Sequence, residues 1–283
     1  MHGALQVFTG RLDMLKGLIS LLGTLAVIYF GLGAALFLFQ RNQQYFPDGS
    51  IEIPRYLAAR GVSLVEIEVE DGERLSAWYR PADKGMPTLL YFPGNGGSVA
   101  DSHERFEEVL DSGFGFLALS YRGYPGSTGS PTEAGLFLDG ITSYDWLIAN
   151  GVPADRIVLY GWSLGSGVAS KVASLRQAGA LVLEAPFLSA ESIARQRFPI
   201  FPIGFLMKDR YRTDRLLSQI TQPLVVLHGT HDLTIPIDHG REIIRRYAGP
   251  KTLLEFPGGS HADLWDRGGW RKILDALRAL IPR

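Results

Sequence analysis

Hydrophobic positions follow three patterns along the chain. Leu18 to Phe39, "LISLLGTLAVIYFGLGAALFLF", is apolar on every face: it carries no charge, and Ser20 and Thr24 are its clearly polar members. As a helix rising about 1.5 Å per residue, a run of this length reaches about 33 Å, enough to cross a hydrocarbon core. After residue 60 the pattern changes. "SLVEIEVE" and "RLSAWYR" alternate apolar and polar positions around an Asp-Gly turn, which predicts an antiparallel hairpin. Six short runs follow: "PTLLYF", "FGFLALS", "RIVLYG", "ALVLEA", "PLVVLHG" and "KTLLEF". They are apolar almost throughout, as strands covered on both faces must be.

Helix-period segments lie between these runs, at 101–110, 132–150, 164–177, 237–247 and 262–280. An antiparallel start followed by strand–helix alternation predicts a mostly parallel, eight-stranded sheet with helices on both faces, with sites at the carboxyl ends of the strands. The expected organisation is an N-terminal flank (1–17), a transmembrane anchor (18–39), a tether (40–60) and one domain (61–283). A cleaved signal peptide and a buried core helix are the alternatives for the apolar segment. Arg11 and Lys16 before it and Arg41, Arg55 and Arg60 after it are nearly balanced, so the side of the membrane on which the domain lies is not fixed.

Composition narrows the chemistry. The 283 residues have a formal net charge of −1 and no cysteine. Near-neutral charge argues against a nucleic-acid partner, and the missing thiols exclude disulfides, a cysteine nucleophile and Cys-ligated metal.

"LYGWSLGSGVAS" sets Ser163 between Gly161 and Gly165 at the junction of a strand and a helix. So sharp a reversal strains the serine and crowds its neighbours, so both flanks need glycine, and it presents the hydroxyl at a helix N-terminus. A serine hydroxyl needs a base to become nucleophilic. Of the six histidines, His261 lies in a Gly-rich loop after the last strand. His2 precedes the anchor, and His103, His228, His231 and His239 read as a helix-surface, a strand-end, a loop and an exposed-helix residue. Asp232, in the loop after the penultimate strand, is the candidate partner for that base; Glu184 is the reserve, and Asp238 reads as a helix first-turn carboxylate. The N–H groups of Leu164 and of Asn95, in "PGNGG", are candidate oxyanion donors. The same loop read as a phosphate cradle lacks the P-loop lysine and the dinucleotide spacing.

"QQYFPD", "PGNGG", "SYRGYPGSTGSPTEAG", "GWSLGSG", "LEAPF", "HGTHDLTIP" and "GGSHADLW", in this order, resemble the α/β-hydrolase superfamily over about residues 60–283. The nearest likeness is to its single-pass membrane-anchored members and the serine-aminopeptidase-like hydrolases. Pro93, Ser120 and Ala262 depart from residues frequent in that group. The resemblance implies an α/β-hydrolase fold and a nucleophile–acid–base set of Ser163, Asp232 and His261, with no cofactor and no metal. Leu188 to Thr221 reads as a cap insertion, and Phe198, Phe201 and Phe205 in it as substrate contacts. Together these imply a membrane serine hydrolase acting on an acyl ester or thioester of a small molecule, a lipid or an acylated protein. An amidase or peptidase, and a catalytically silent scaffold, are the alternatives; oligomeric state is left open.

Overall fold

A computed structural model describes residues 2–280, with side chains from Met14 onward; Met1 of the expected flank and residues 281–283 of the expected domain lie outside the described residues. The chain divides into two compact units, Met1–Gln43 and Gln44–Arg283. In the first unit, helix α1 (His2–Phe39) runs into a short 3₁₀ turn at Gln40–Gln43. Its apolar side chains, among them Leu22, Leu25, Phe30 and Leu38, are exposed, unlike those of a core helix. The segment Met14–Gln43 is long and apolar enough to cross a membrane, a property that anchors and signal sequences share.

The second unit is built on one eight-stranded sheet. Its strands are β1 (Ser63–Glu68), β2 (Arg74–Arg80), β3 (Thr88–Phe92), β4 (Gly115–Leu119), β5 (Ile157–Trp162), β6 (Ala180–Glu184), β7 (Leu224–Gly229) and β8 (Lys251–Phe256). In space the order is β1-β2-β4-β3-β5-β6-β7-β8. β1 and β2 pair antiparallel from Ser63↔Tyr79 to Glu68↔Arg74, and β2 is antiparallel to β4. The remaining pairs are parallel. The sheet is therefore the one the hydrophobic runs predict.

The central strands are apolar throughout because each face has its own core. Leu90 and Phe92 of β3 point into one cluster with Leu117, Leu159 and Val168; Leu89 and Tyr91 point into the other with Phe106, Val158 and Ile273. Helices α2 (His103–Asp111), α3 (Glu133–Ala149), α4 (Leu164–Ala173), α5 (Asp238–Arg246) and α6 (Gly269–Leu280) cover the two faces.

Two boundaries differ from the pattern. α6 starts at Gly269 rather than near residue 262, directly after Gly268, whose φ of 77° is a left-handed backbone position that a continuous right-handed helix does not contain. The larger compact unit opens at Gln44 rather than at residue 61. Residues 44–60 are integral to it: Phe46–Pro47 pairs parallel with Gly96–Gly97, the Trp78 indole donates to the Ile51 carbonyl at 2.8 Å, and Leu57 is fully buried.

Candidate active site

β5 ends one residue before Ser163, and α4 begins one residue after it. At φ 52°, ψ −115°, Ser163 is in a backbone region that non-glycine residues enter only when their surroundings force it. Those surroundings are visible: a Cβ on Gly161 would collide with the Gly165 carbonyl, and one on Gly165 with the Phe92 carbonyl. The Ser163 N–H donates to the Glu184 carbonyl at 2.9 Å, tying the turn to β6.

His261 and Asp232 reach the serine from the ends of β8 and β7. Ser163 Oγ is 2.9 Å from His261 Nε2, and His261 Nδ1 is 2.7 Å from Asp232 Oδ2. The other carboxylate oxygen, Oδ1, accepts from the N–H groups of Thr234 and Ile235, each at 2.8 Å. Burial opposes the charge on Asp232, but the hydrogen bonds from His228, His261 and the Ile235 N–H outweigh it and hold the carboxyl well below the usual range. An ionised carboxylate only accepts, so the neutral imidazole carries its proton on Nδ1 and leaves Nε2 to accept from the serine hydroxyl.

The loop after β3 lies against this turn. A Cβ built on Gly94 would stand 3.7 Å from Ser163 Cβ. The Asn95 N–H and the Leu164 N–H, the latter at the first position of α4, donate to no acceptor among the described residues. Both expected oxyanion donors are thus unspent; Leu164 directly follows the serine, and Asn95 directly follows Gly94, where a Cβ would adjoin that serine.

A family defined by the alpha/beta hydrolase fold matches residues 87–206, a stretch that contains the glycine loop and the elbow. YfhR of Salmonella typhimurium is 30% identical over 241 residues, covering 78% of this chain and 81% of that one. The chain belongs to the α/β-hydrolase superfamily. ABHD12B of Homo sapiens is 36% identical over 189 residues, 59% of this chain and 51% of that protein. The fold of this α/β hydrolase is also that of an esterase from Pyrococcus furiosus, Pf2001, with a TM-score of 0.67 at 19% identity over 84% of this chain and 97% of that one.

Several residues of this hydrolase sit differently from their sequence reading. Glu184, the reserve acid, is fully buried, and its carboxylate is engaged by partners other than the imidazole. It forms a bidentate pair with the buried Arg105 and accepts from the Tyr160 hydroxyl at 2.5 Å. The Arg105 guanidinium lies over the Trp162 ring at 4.6 Å and over the Trp265 ring at 5.1 Å, and the Trp162 N–H donates to the His261 carbonyl at 3.3 Å. Burial works against the charge on Arg105, and the Glu184 carboxylate more than restores it. His239, expected on an exposed helix, is buried on the inner face of α5, where Nδ1 accepts from the Leu188 N–H at 3.2 Å; burial lowers its proton affinity. His228 Nε2 donates to the Ile235 carbonyl at 2.8 Å and lies 3.5 Å from Asp232 Oδ2, a supporting position that its strand-end reading did not reveal. Among the described residues, no three His, Asp or Glu side chains converge as metal ligands would.

The cap segment is divided. Its second half is fixed: Glu133 accepts from the N–H groups of Arg210 and Tyr211, and Tyr211 is buried at φ 44°. Its first half projects. Phe198 and Phe201 are half-buried, while Ile200 and Phe205 are 69% and 86% exposed.

Proposed function

We propose that this α/β hydrolase is a membrane-anchored serine hydrolase that cleaves an acyl ester or thioester through an acyl-enzyme. The hydrogen-bonded chain from Ser163 through His261 to Asp232 is the observation that carries the reading.

In the first half-reaction Ser163 Oγ forms a bond to the acyl carbon while its proton passes to His261 Nε2. The carbonyl oxygen becomes an alkoxide between the Asn95 and Leu164 N–H groups; one such donor contributes about 3–4 kcal/mol to barrier lowering. The tetrahedral species collapses, the bond to the leaving group breaks, and His261 returns the proton to the departing oxygen or sulfur. Water then repeats the sequence on the acyl-serine, its proton passing through His261 back to Ser163. Asp232 fixes the tautomer and stabilises the imidazolium throughout. The exposed apolar tip of the cap, flanked by the exposed Arg195 and Arg197, suits an acyl chain presented at an anionic lipid surface.

The experiment is turnover of p-nitrophenyl esters of graded chain length, with fluorophosphonate labelling, by the full chain and by Ser163→Ala. Labelling and turnover in the wild type, both lost in Ser163→Ala, are expected. A folded wild type that neither labels nor turns over would leave the silent scaffold as the reading.

A further inference from the structure

We infer that Gln44–Phe46, the residues directly after the apolar helix and its terminal turn, are positioning residues for the oxyanion donor at Asn95; the inference deepens the serine-hydrolase reading and rests on it.

The donor sits in a loop that cannot hold itself. Gly94, Gly96 and Gly97, the last at φ 73°, give the loop more backbone freedom to lose than any other residue would. The restraint comes from outside. On one side of the Gly94–Asn95 peptide, the Pro93 carbonyl accepts from the Tyr121 hydroxyl at 3.1 Å. On the other, the Asn95 carbonyl accepts from the Phe46 N–H at 2.8 Å and the Tyr124 hydroxyl at 2.7 Å. The Asn95 side chain then donates to the Gln44 carbonyl at 2.9 Å. With both flanking peptides pinned, the peptide between them is oriented and its N–H is left unspent.

The holding segment is itself held. The Gln44 side chain donates to the Asp209 carbonyl at 3.1 Å, and the buried Tyr45 hydroxyl bonds to that of Tyr211 at 2.9 Å. Two of these four bonds thus come from residues 44 and 46, and only Gln40–Gln43 separate these from α1. What reads as a tether in the sequence is a working wall of the oxyanion site.

The test compares Phe46→Pro with Phe46→Ala in the full chain. Both remove the same half-exposed ring, and only the first removes the N–H. The density of active sites is titrated with a fluorophosphonate, so that kcat is expressed per competent site. Phe46→Pro is expected at least about tenfold below Phe46→Ala in kcat, with KM within about threefold, because a displaced donor forfeits part of the 10²–10³-fold that a donor supplies. Hydrogen exchange in residues 93–99 is expected to be faster in Phe46→Pro. Equal kcat per site, or a loss confined to KM or to the titrated fraction, overturns the inference. If Phe46→Pro does not fold, Asn95→Ala, which keeps the N–H and loses only the bond to Gln44, must show the same kcat-only loss. Exchange also separates the two readings: a wild type without turnover whose loop still loosens in Phe46→Pro sinks the hydrolase and spares the restraint, whereas unchanged exchange sinks the restraint.

Discussion

Asp232 stays charged in a buried place because three kinds of donor converge on it: an imidazole, a second histidine and the backbone N–H groups of the loop it begins. Asp232→Asn keeps the volume and replaces an acceptor oxygen with a donor that cannot accept from His261 Nδ1. The imidazole is then driven toward the wrong tautomer. We expect kcat to fall by about 10²–10⁴-fold with little change in KM, measured on a short p-nitrophenyl ester. The same carboxyl leaves a signature in stability. Its folded proton affinity lies below that of the unfolded chain, so its contribution is complete above the unfolded value of about 3.9 and is lost as pH falls toward the folded one. Urea unfolding of Asp232→Asn below about pH 4 should therefore show a shallower acid dependence than the wild type, by about one proton. Ser163, Asp232 and His261 could be placed at one edge of the sheet from strand order alone. That they form a single hydrogen-bonded chain is a matter of ångströms, which no spacing in the sequence encodes.

At the scale of elements, the elbow depends on what lies behind it. β5 delivers Ser163, β6 receives its N–H through the Glu184 carbonyl, and the Glu184 side chain holds Arg105 of α2 between Trp162 and Trp265. The elbow was legible because its glycines are local to the serine. Arg105 was not: in "SHERFEEVLD" it looks like one more charge on an amphipathic helix, and its partner lies 79 positions away on another strand. A buried pair of this kind is costly to break from one side, since the remaining charge is left without a counterpart. Arg105→Met and Glu184→Gln should each lower stability by about 3–5 kcal/mol in urea unfolding, and the double substitution by clearly less than the sum. Additive losses would mean that the two groups are held independently. The exposed-helix reading of His239 fails for a related reason, because burial there is set by packing and not by pattern. Helix α5 has polar residues on most positions, and only packing reveals that His239 shares its inner face with Gly240 and Ile243.

At the scale of the whole chain, the sheet was legible because two-sided burial writes itself as continuous apolar runs, and the start of the compact unit was not. Residues 44–60 contain no long apolar run; they join the unit through backbone hydrogen bonds and single side chains such as Leu57, which leave no periodic trace. The apolar helix is the opposite case: its length and composition are plain, but they fit an anchor and a signal sequence alike. The fate of Leu18–Phe39 after synthesis separates these. A retained span should leave the intact chain, read by mass spectrometry of the purified protein, in the membrane fraction through high salt and alkaline carbonate. Leu25→Arg with Ile28→Arg, at about 2.5–3.5 kcal/mol for each charge near the centre of a span, should release it. The entry of the chain at Gln44 adds an internal check, because Gln44 and Phe46 hold Asn95. Cleavage after residue 43 would spare those bonds, whereas cleavage within "QQYFPD" beyond Phe46 would remove both. A soluble product that begins at residue 44 and keeps full kcat per titrated site would therefore overturn the anchor while leaving the oxyanion wall in place, and a product that begins after Phe46 should have lost both the membrane and most of its turnover.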